Sequence, residues 1–153
     1  MKILLRTAVA AAVLAMGAPA LAQDASLEPN FGEVTLRVGF TPDPHDVRMV
    51  AGGTIDASDL GNGCVGMISE APDYRVHYTA GKGTKLTFRA SSDSDVTLVI
   101  NGPNGRFSCN DDAGSSTNAG IVYRTPLSGQ YDVWVGTFGR DTASTRLRIT
   151  EME

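Results

Sequence analysis

Five residues near the middle of the chain have the side chains and spacing best suited to chemistry. Asp93 and Asp95 precede an apolar run at 96–100, and Asn110, Asp111 and Asp112 follow a second run at 106–109. Between the runs lies Asn101-Gly102-Pro103-Asn104-Gly105, whose residue types favour a turn. Paired antiparallel, the two runs make a hairpin that carries both acidic segments to the same end of a sheet. Carboxylates crowded on one rim repel each other, and a hard cation relieves that repulsion. Calcium takes about six to eight oxygen ligands, which Asp93, Asp95, Asn110, Asp111 and Asp112 could supply together with loop carbonyls. The competing reading is that Asp, Asn, Ser and Gly are simply what tight turns use, and no EF-hand spacing decides between the two.

Catalysis has poorer candidates. Nucleophilic hydrolysis needs a base, and the chain has two histidines, His45 and His77. His45 lies in Pro42-Asp43-Pro44-His45-Asp46, which reads as a solvated turn, and His77 sits on the polar side of an alternating strand pattern. Neither belongs to a Gly-x-Ser-x-Gly or His-Glu-x-x-His motif, and no Cys/His group suits zinc. Paired carboxylates can cleave glycosides, but these Asp residues lie in Ser/Gly/Asn loops that would not raise an acid's pKa by desolvation. The expectation is therefore a protein that is not an enzyme.

The N-terminus resembles a secretory leader. Lys2 and Arg6 precede an apolar stretch at 7–16, and Ala20-Leu21-Ala22 gives a small-x-small cleavage site. The stretch is short and broken by Gly17 and Pro19, which argues against a membrane span. No Cys follows the cleavage site to take a lipid anchor. The expected organisation is a signal peptide at 1–22, a loose polar lead at 23–30 and a single domain at 31–153, placed in the periplasm or the medium. In such a compartment Cys64 and Cys109 are expected to form a disulfide. It would close a loop of about 46 residues and stabilise the fold by about 4 kcal/mol on the chain-entropy account. Metal ligation is the alternative for the two cysteines, but neither lies in a Cys-x-x-Cys pair. The net charge is −4 and there is no Lys/Arg run, so neither nucleic acid nor an anionic membrane is the expected partner.

The elements that must position these residues are strands. Val34, Leu36, Val38 and Phe40 alternate with polar residues, as do Tyr74, Val76 and Tyr78, then Leu86, Phe88 and Ala90, and finally Leu147 and Ile149. Residues 47–51, 65–69, 121–123 and 131–138 add further strands, while 54–63 reads as a surface loop or a single helical turn. Eight to ten short strands separated by turns indicate an all-β fold, an antiparallel β-sandwich of jelly-roll type. Arg75, Arg89, Arg106, Arg146 and Arg148 would keep its faces and edges soluble. Trp134 alternates away from Tyr131, Val133 and Val135, so it either fills a covered second face or stands on the surface as a ligand platform for sugars; Trp usually buries most of its area, which favours the first.

Several of these segments occur in the order of a known family. Leu86-Thr87-Phe88, Asp95-Val96-Thr97-Leu98-Val99-Ile100, Pro103-Asn104-Gly105, Asn110-Asp111-Asp112 and Gly129-Gln130-Tyr131-Asp132-Val133-Trp134-Val135-Gly136 resemble the bacterial pre-peptidase C-terminal domain, over residues 74–151. The resemblance implies a β-sandwich accessory domain, usually appended to secreted peptidases and other exported enzymes and often removed during maturation. Some relatives bind calcium and some an extracellular polymer. In this sequence the module is expected to stand without an accompanying enzyme. The function implied is a non-catalytic exported accessory or binding module. The alternatives are an envelope protein that binds another protein, such as a peptidase, and a cryptic hydrolase.

Overall fold

The computed structural model describes residues 22–61, 63–114, 116–139 and 141–152, so all but the last residue of the signal peptide expected at 1–22 lies outside the described residues. In chain order the strands are β1 (Glu33–Arg37), β2 (His45–Ala51), β3 (Ile55–Asp56), β4 (Met67–Ile68), β5 (Tyr74–Thr79), β6 (Leu86–Ser91), β7 (Val96–Asn101), β8 (Phe107–Asn110), β9 (Gly120–Tyr123), β10 (Gly129–Thr137) and β11 (Ala143–Thr150). They form two sheets facing each other, a four-stranded one ordered β2-β11-β6-β9 and a seven-stranded one built around β10. β5 pairs with the first half of β10, β7 with its second half, and β4 meets it at Thr137. Every pairing is antiparallel except β1 with β5, which is parallel. Among the described residues no helix is long and apolar enough to cross a membrane.

Period-two alternation drives this arrangement. Val76, Tyr78, Leu98, Ile100, Tyr131, Val133 and Val135 face Leu86, Phe88, Leu147 and Ile149 across the sandwich. Each such side chain, removed from water, contributes roughly 1.5–3 kcal/mol of transfer free energy. On β10, however, both alternating sets are buried, including Asp132 and Trp134 on the far side. The far side carries a second cluster of Ile55, Ala57, Cys64, Ile68, Val99 and Trp134, closed by a short 3-10 helix at Ala57–Leu60. The segment expected to be loop or helical turn is thus a lid on the seven-stranded sheet. Close approach makes this possible at Gly136, where a Cβ would lie 2.4 Å from Thr97 Oγ1 and 3.0 Å from the Met67 carbonyl oxygen.

Several expectations need correction. The first strand stops at Arg37, and Val38 is exposed because the chain turns before Phe40 re-enters the core. The lead at 23–30 is tied to the sheet: Asp24 N bonds Glu70 O, Asn30 N bonds Pro72 O, and the guanidinium of Arg75 donates to the carbonyls of Ala25 and Leu27 at 2.7 and 2.9 Å. Arg75 is therefore buried rather than a solubilising residue, and it pairs with Asp132 at 2.6 Å. A buried guanidinium is tolerable only when its donors are satisfied, as they are here.

Candidate functional site: an acidic rim around Phe138

The hairpin forms as the spacing implies. β7 and β8 pair with Asn101 opposite Phe107 and Leu98 opposite Asn110, and Gly105, at φ +72°, closes the turn through Gly105 N to Gly102 O. The acidic segments do reach one end of the sheet, but they do not act as a unit. Asp95 is half-buried, and its carboxyl is pushed above the ordinary range by burial and by the charges of Asp112 and Asp111. Asn110 is committed to the loop instead: its Oδ1 accepts from Gly120 N at 2.8 Å and its Nδ2 donates to Asp112 O at 3.0 Å. Asp93 lies round the corner, in a cleft beside Arg48 and Arg146 on the four-stranded sheet. Asp111 and Asp112 thus lie near enough to Asp95 for their charges to act on it, Asn110 sits beside Asp112 with its amide committed to the loop, and Asp93 is in a separate cleft. Among the described residues no three His, Cys, Asp or Glu side chains are grouped so as to hold a metal ion.

Cys64 and Cys109 form the disulfide expected of them, with an S–S distance of 1.99 Å. Its place explains its use. Cys109 is on β8, Cys64 follows the 3-10 helix, and the bond fastens the lid over Val99 and Trp134. Trp134 is 0% exposed, with its ring 6.2 Å from that of Phe107, so the ligand-platform reading of Trp134 is wrong. Parity put the indole on the outer face as the sequence indicates, and the lid covers it.

Among the described residues the aromatic most open to solvent is Phe138, 66% exposed, ahead of Phe31 at 37%. The sequence pattern extends the strand through this residue, whereas β10 ends at Thr137 and Phe138 begins the following turn. Its backbone is held: Phe138 N bonds Asp95 O at 3.1 Å, and Thr137 Oγ1 donates to Asp141 O at 2.8 Å. On one side its ring borders a groove of about 460 Å³ lined by Val65, Met67, Asp56 and Ser58. On the other side lies a smaller recess with Asp95 and Asp141. The rim is an exposed apolar patch edged by carboxylates, an arrangement suited to docking and short of a general base. An apolar residue directly before Gly139-Arg140-Asp141, where turn residues end a strand, was the sequence signal for Phe138.

The histidines are far from catalytic arrangements. His45 opens β2, and its Nε2 lies 3.0 Å from Tyr74 Oη with the rings stacked at 6.0 Å; burial holds its pKa below the usual value. The solvated-loop reading of His45 is corrected accordingly. His77 faces Glu33 Oε2 at 3.3 Å near the surface. A buried acid that the sequence did not single out is Asp73, 1% exposed, which accepts from Val135 N at 2.7 Å, Ser69 Oγ at 3.1 Å and Asn30 Nδ2 at 3.3 Å. Burial nevertheless pushes its pKa up to about 6. It has no open path to a substrate and joins the lead to β10.

The sequence matches no family model and no curated protein. Among solved structures, the chain is similar to the pre-peptidase C-terminal domain of a collagenase from Bacillus anthracis, at 9% identity and TM-score 0.48, over 81% of this chain and 99% of that one. It is also similar to PliG of Aeromonas hydrophila, a periplasmic inhibitor of g-type lysozyme, at 15% identity and TM-score 0.39, over 78% and 96% of the two chains. A mutant of the corresponding Escherichia coli inhibitor gives 17% identity and TM-score 0.41, over 78% and 97%.

Proposed function

We propose that this chain is a non-catalytic exported binding module that holds a partner protein at the rim around Phe138. The observation that carries the reading is Phe138 itself, 66% exposed on a backbone fixed by Asp95 and Thr137, beside an apolar groove. Fixed aromatic residues over apolar concavities are the usual anchors of protein interfaces, since they bury area at little cost in side-chain entropy. Asp56, Asp95 and Asp141 border the anchor, so the complementary surface is basic. Support for the non-catalytic reading comes from the histidines, one stacked on Tyr74 and one beside Glu33, and from cysteines engaged in a disulfide. The disulfide also supports an oxidising compartment.

The test is retention of envelope and secreted proteins on the immobilised wild type compared with Phe138→Ser. A protein held by the wild type and lost from the variant supports the rim; identical retained sets refute it. Calcium is proposed only near Asp95, where the charges of Asp111 and Asp112 favour a cation; the three carboxylates do not form a closed group, so loop carbonyls would have to complete the shell. Such a partial oxygen shell places binding in the millimolar range of extracellular modules. Melting in 5 mM calcium should exceed melting in excess chelator, and equal melting assigns the loops to turn chemistry alone.

A further inference from the structure

The outer face of the four-stranded sheet gathers arginines that are scattered in sequence. Alternation on β2, β6 and β11 turns Arg48, Arg89, Arg146 and Arg148 to the same side. Register places Arg48 directly opposite Arg146, and Arg148 opposite both Asp46 and Arg89. Arg148 holds Asp46 through Nε–Oδ1 at 2.9 Å and Nη2–Oδ2 at 3.1 Å, and that contact keeps the Asp46 carboxyl below its usual range. Arg48 and Arg146 are exposed, and among the described residues neither has an ion-pair partner. Like charges directly across a strand pair are unfavourable, and this chain's net charge is −4. Asp46, two residues before Arg48 on β2 and diagonal to Arg146, offsets part of that repulsion, but its carboxylate is held by Arg148.

Arg48 and Arg146 both line an open cleft of about 340 Å³ together with Ser91, Ser92, Asp93 and Ser144. Ser91 lies opposite Arg146 on the side away from Arg48, so a hydroxyl and two guanidinium groups stand in one row. We infer that this row binds a carboxylate-bearing polysaccharide. Guanidinium groups take carboxylates in fork geometry, and the hydroxyls of Ser91 and Ser144 provide hydrogen-bond partners for sugar hydroxyls, while Ser92 Oγ is engaged with the Ser144 carbonyl and Ser94 N. The cleft lining holds no apolar or aromatic anchor, which a folded protein partner would need. Asp93 on the wall opposes every polyanion alike, so discrimination rests on the serines, which pair with sugar hydroxyls that polyglutamate and duplex DNA lack. This site lies on a different face from the Phe138 rim and stands or falls independently of it.

Polygalacturonate is the probe, titrated against the mature protein by calorimetry in 50 mM and 300 mM salt, with amylose, polyglutamate and duplex DNA as comparators. The expected result is saturable binding to polygalacturonate that weakens with salt, no binding to amylose, and an affinity loss of about tenfold or more in Arg48→Ser with Arg146→Ser. Arg48→Lys with Arg146→Lys should recover part of that loss, while Arg106→Ser in the hairpin turn should bind as the wild type does. Circular dichroism and melting check the fold of each variant, and Arg48→Thr alone, with a smaller loss, serves if the double variant does not fold. No binding by the wild type, unchanged binding in the double variant, equal loss in Arg106→Ser, or equal affinity for polyglutamate or DNA overturns the proposal.

Discussion

The two outer faces of the sandwich start from the same alternating pattern and end differently. On the seven-stranded sheet, Arg75, Asp132, Val99 and Trp134 point outward and are all buried, beneath the lead at 24–31 and the disulfide-fastened lid. On the four-stranded sheet, Arg48 and Arg146 point outward into water. An outward arginine is thus structural on one face and available on the other. The difference lies in whether another segment of chain crosses over the face, and strand periodicity does not encode that.

The largest effects should come from the covered face. Trp134→Ala removes a fully buried indole between the disulfide, Phe107 and Val99 and is expected to cost about 3–5 kcal/mol in urea denaturation. A cost below 1 kcal/mol would mean that the lid does not act as core.

Arg75→Met tests the same face through its polar half. It leaves the Asp132 carboxylate buried without its partner and frees the carbonyls of Ala25 and Leu27, for an expected loss of about 3 kcal/mol. Adding Asp132→Leu should recover much of that loss, because the unpaired charge is then gone. If the double variant is as unstable as the single one, the contacts of Arg75 with the lead rather than the ion pair carry the energy.

These residues also mark what could be read from the sequence. The strands at 74–79, 86–91 and 143–150 and the inward sets of β10 follow from alternation alone, and the Cys64–Cys109 bond from their number and compartment. Alternation likewise assigned Trp134 to the face opposite Val133. It could not tell whether that face is covered, which depends on residues 24–31 and 55–64, and neither segment has a periodic pattern. For the same reason Arg75 looked solvated, and the arginines at 48, 89, 146 and 148 looked scattered until register aligned them. The acidic hairpin was legible in its pairing but not in its side chains, since Asn110 turns to Gly120 and Asp93 turns to the arginine cleft.

Asp73, where the lead meets β10, gives a pH test of the covered face. Its native pKa of about 6 exceeds the unfolded value, so between about pH 4 and 6 the native state holds the proton more tightly. Its stabilising contribution is full below the unfolded pKa and is lost as pH rises through the native one, by up to about 3 kcal/mol. Asp24, Asp46 and Asp56 are shifted downward and act in the opposite sense at lower pH, so the informative quantity is wild type minus Asp73→Asn. That difference should decline between pH 4 and 6 and stay level above. A flat difference would show that the hydrogen bonds from Val135, Ser69 and Asn30 offset burial.

The smallest effect belongs to the open face and has the opposite sign. Arg48→Thr removes one of two guanidinium groups held directly opposite each other and puts a β-branched residue on an exposed strand position. Relief of like-charge repulsion at such a site is worth a few tenths of a kcal/mol, screened by salt, so stability should rise by about 0.3–0.5 kcal/mol in 20 mM salt and change little at 500 mM. Melting measured at both salt concentrations checks this. A loss of stability in low salt would show that Arg48 is held by contacts within the chain, in which case the outward arginines of both faces are structural.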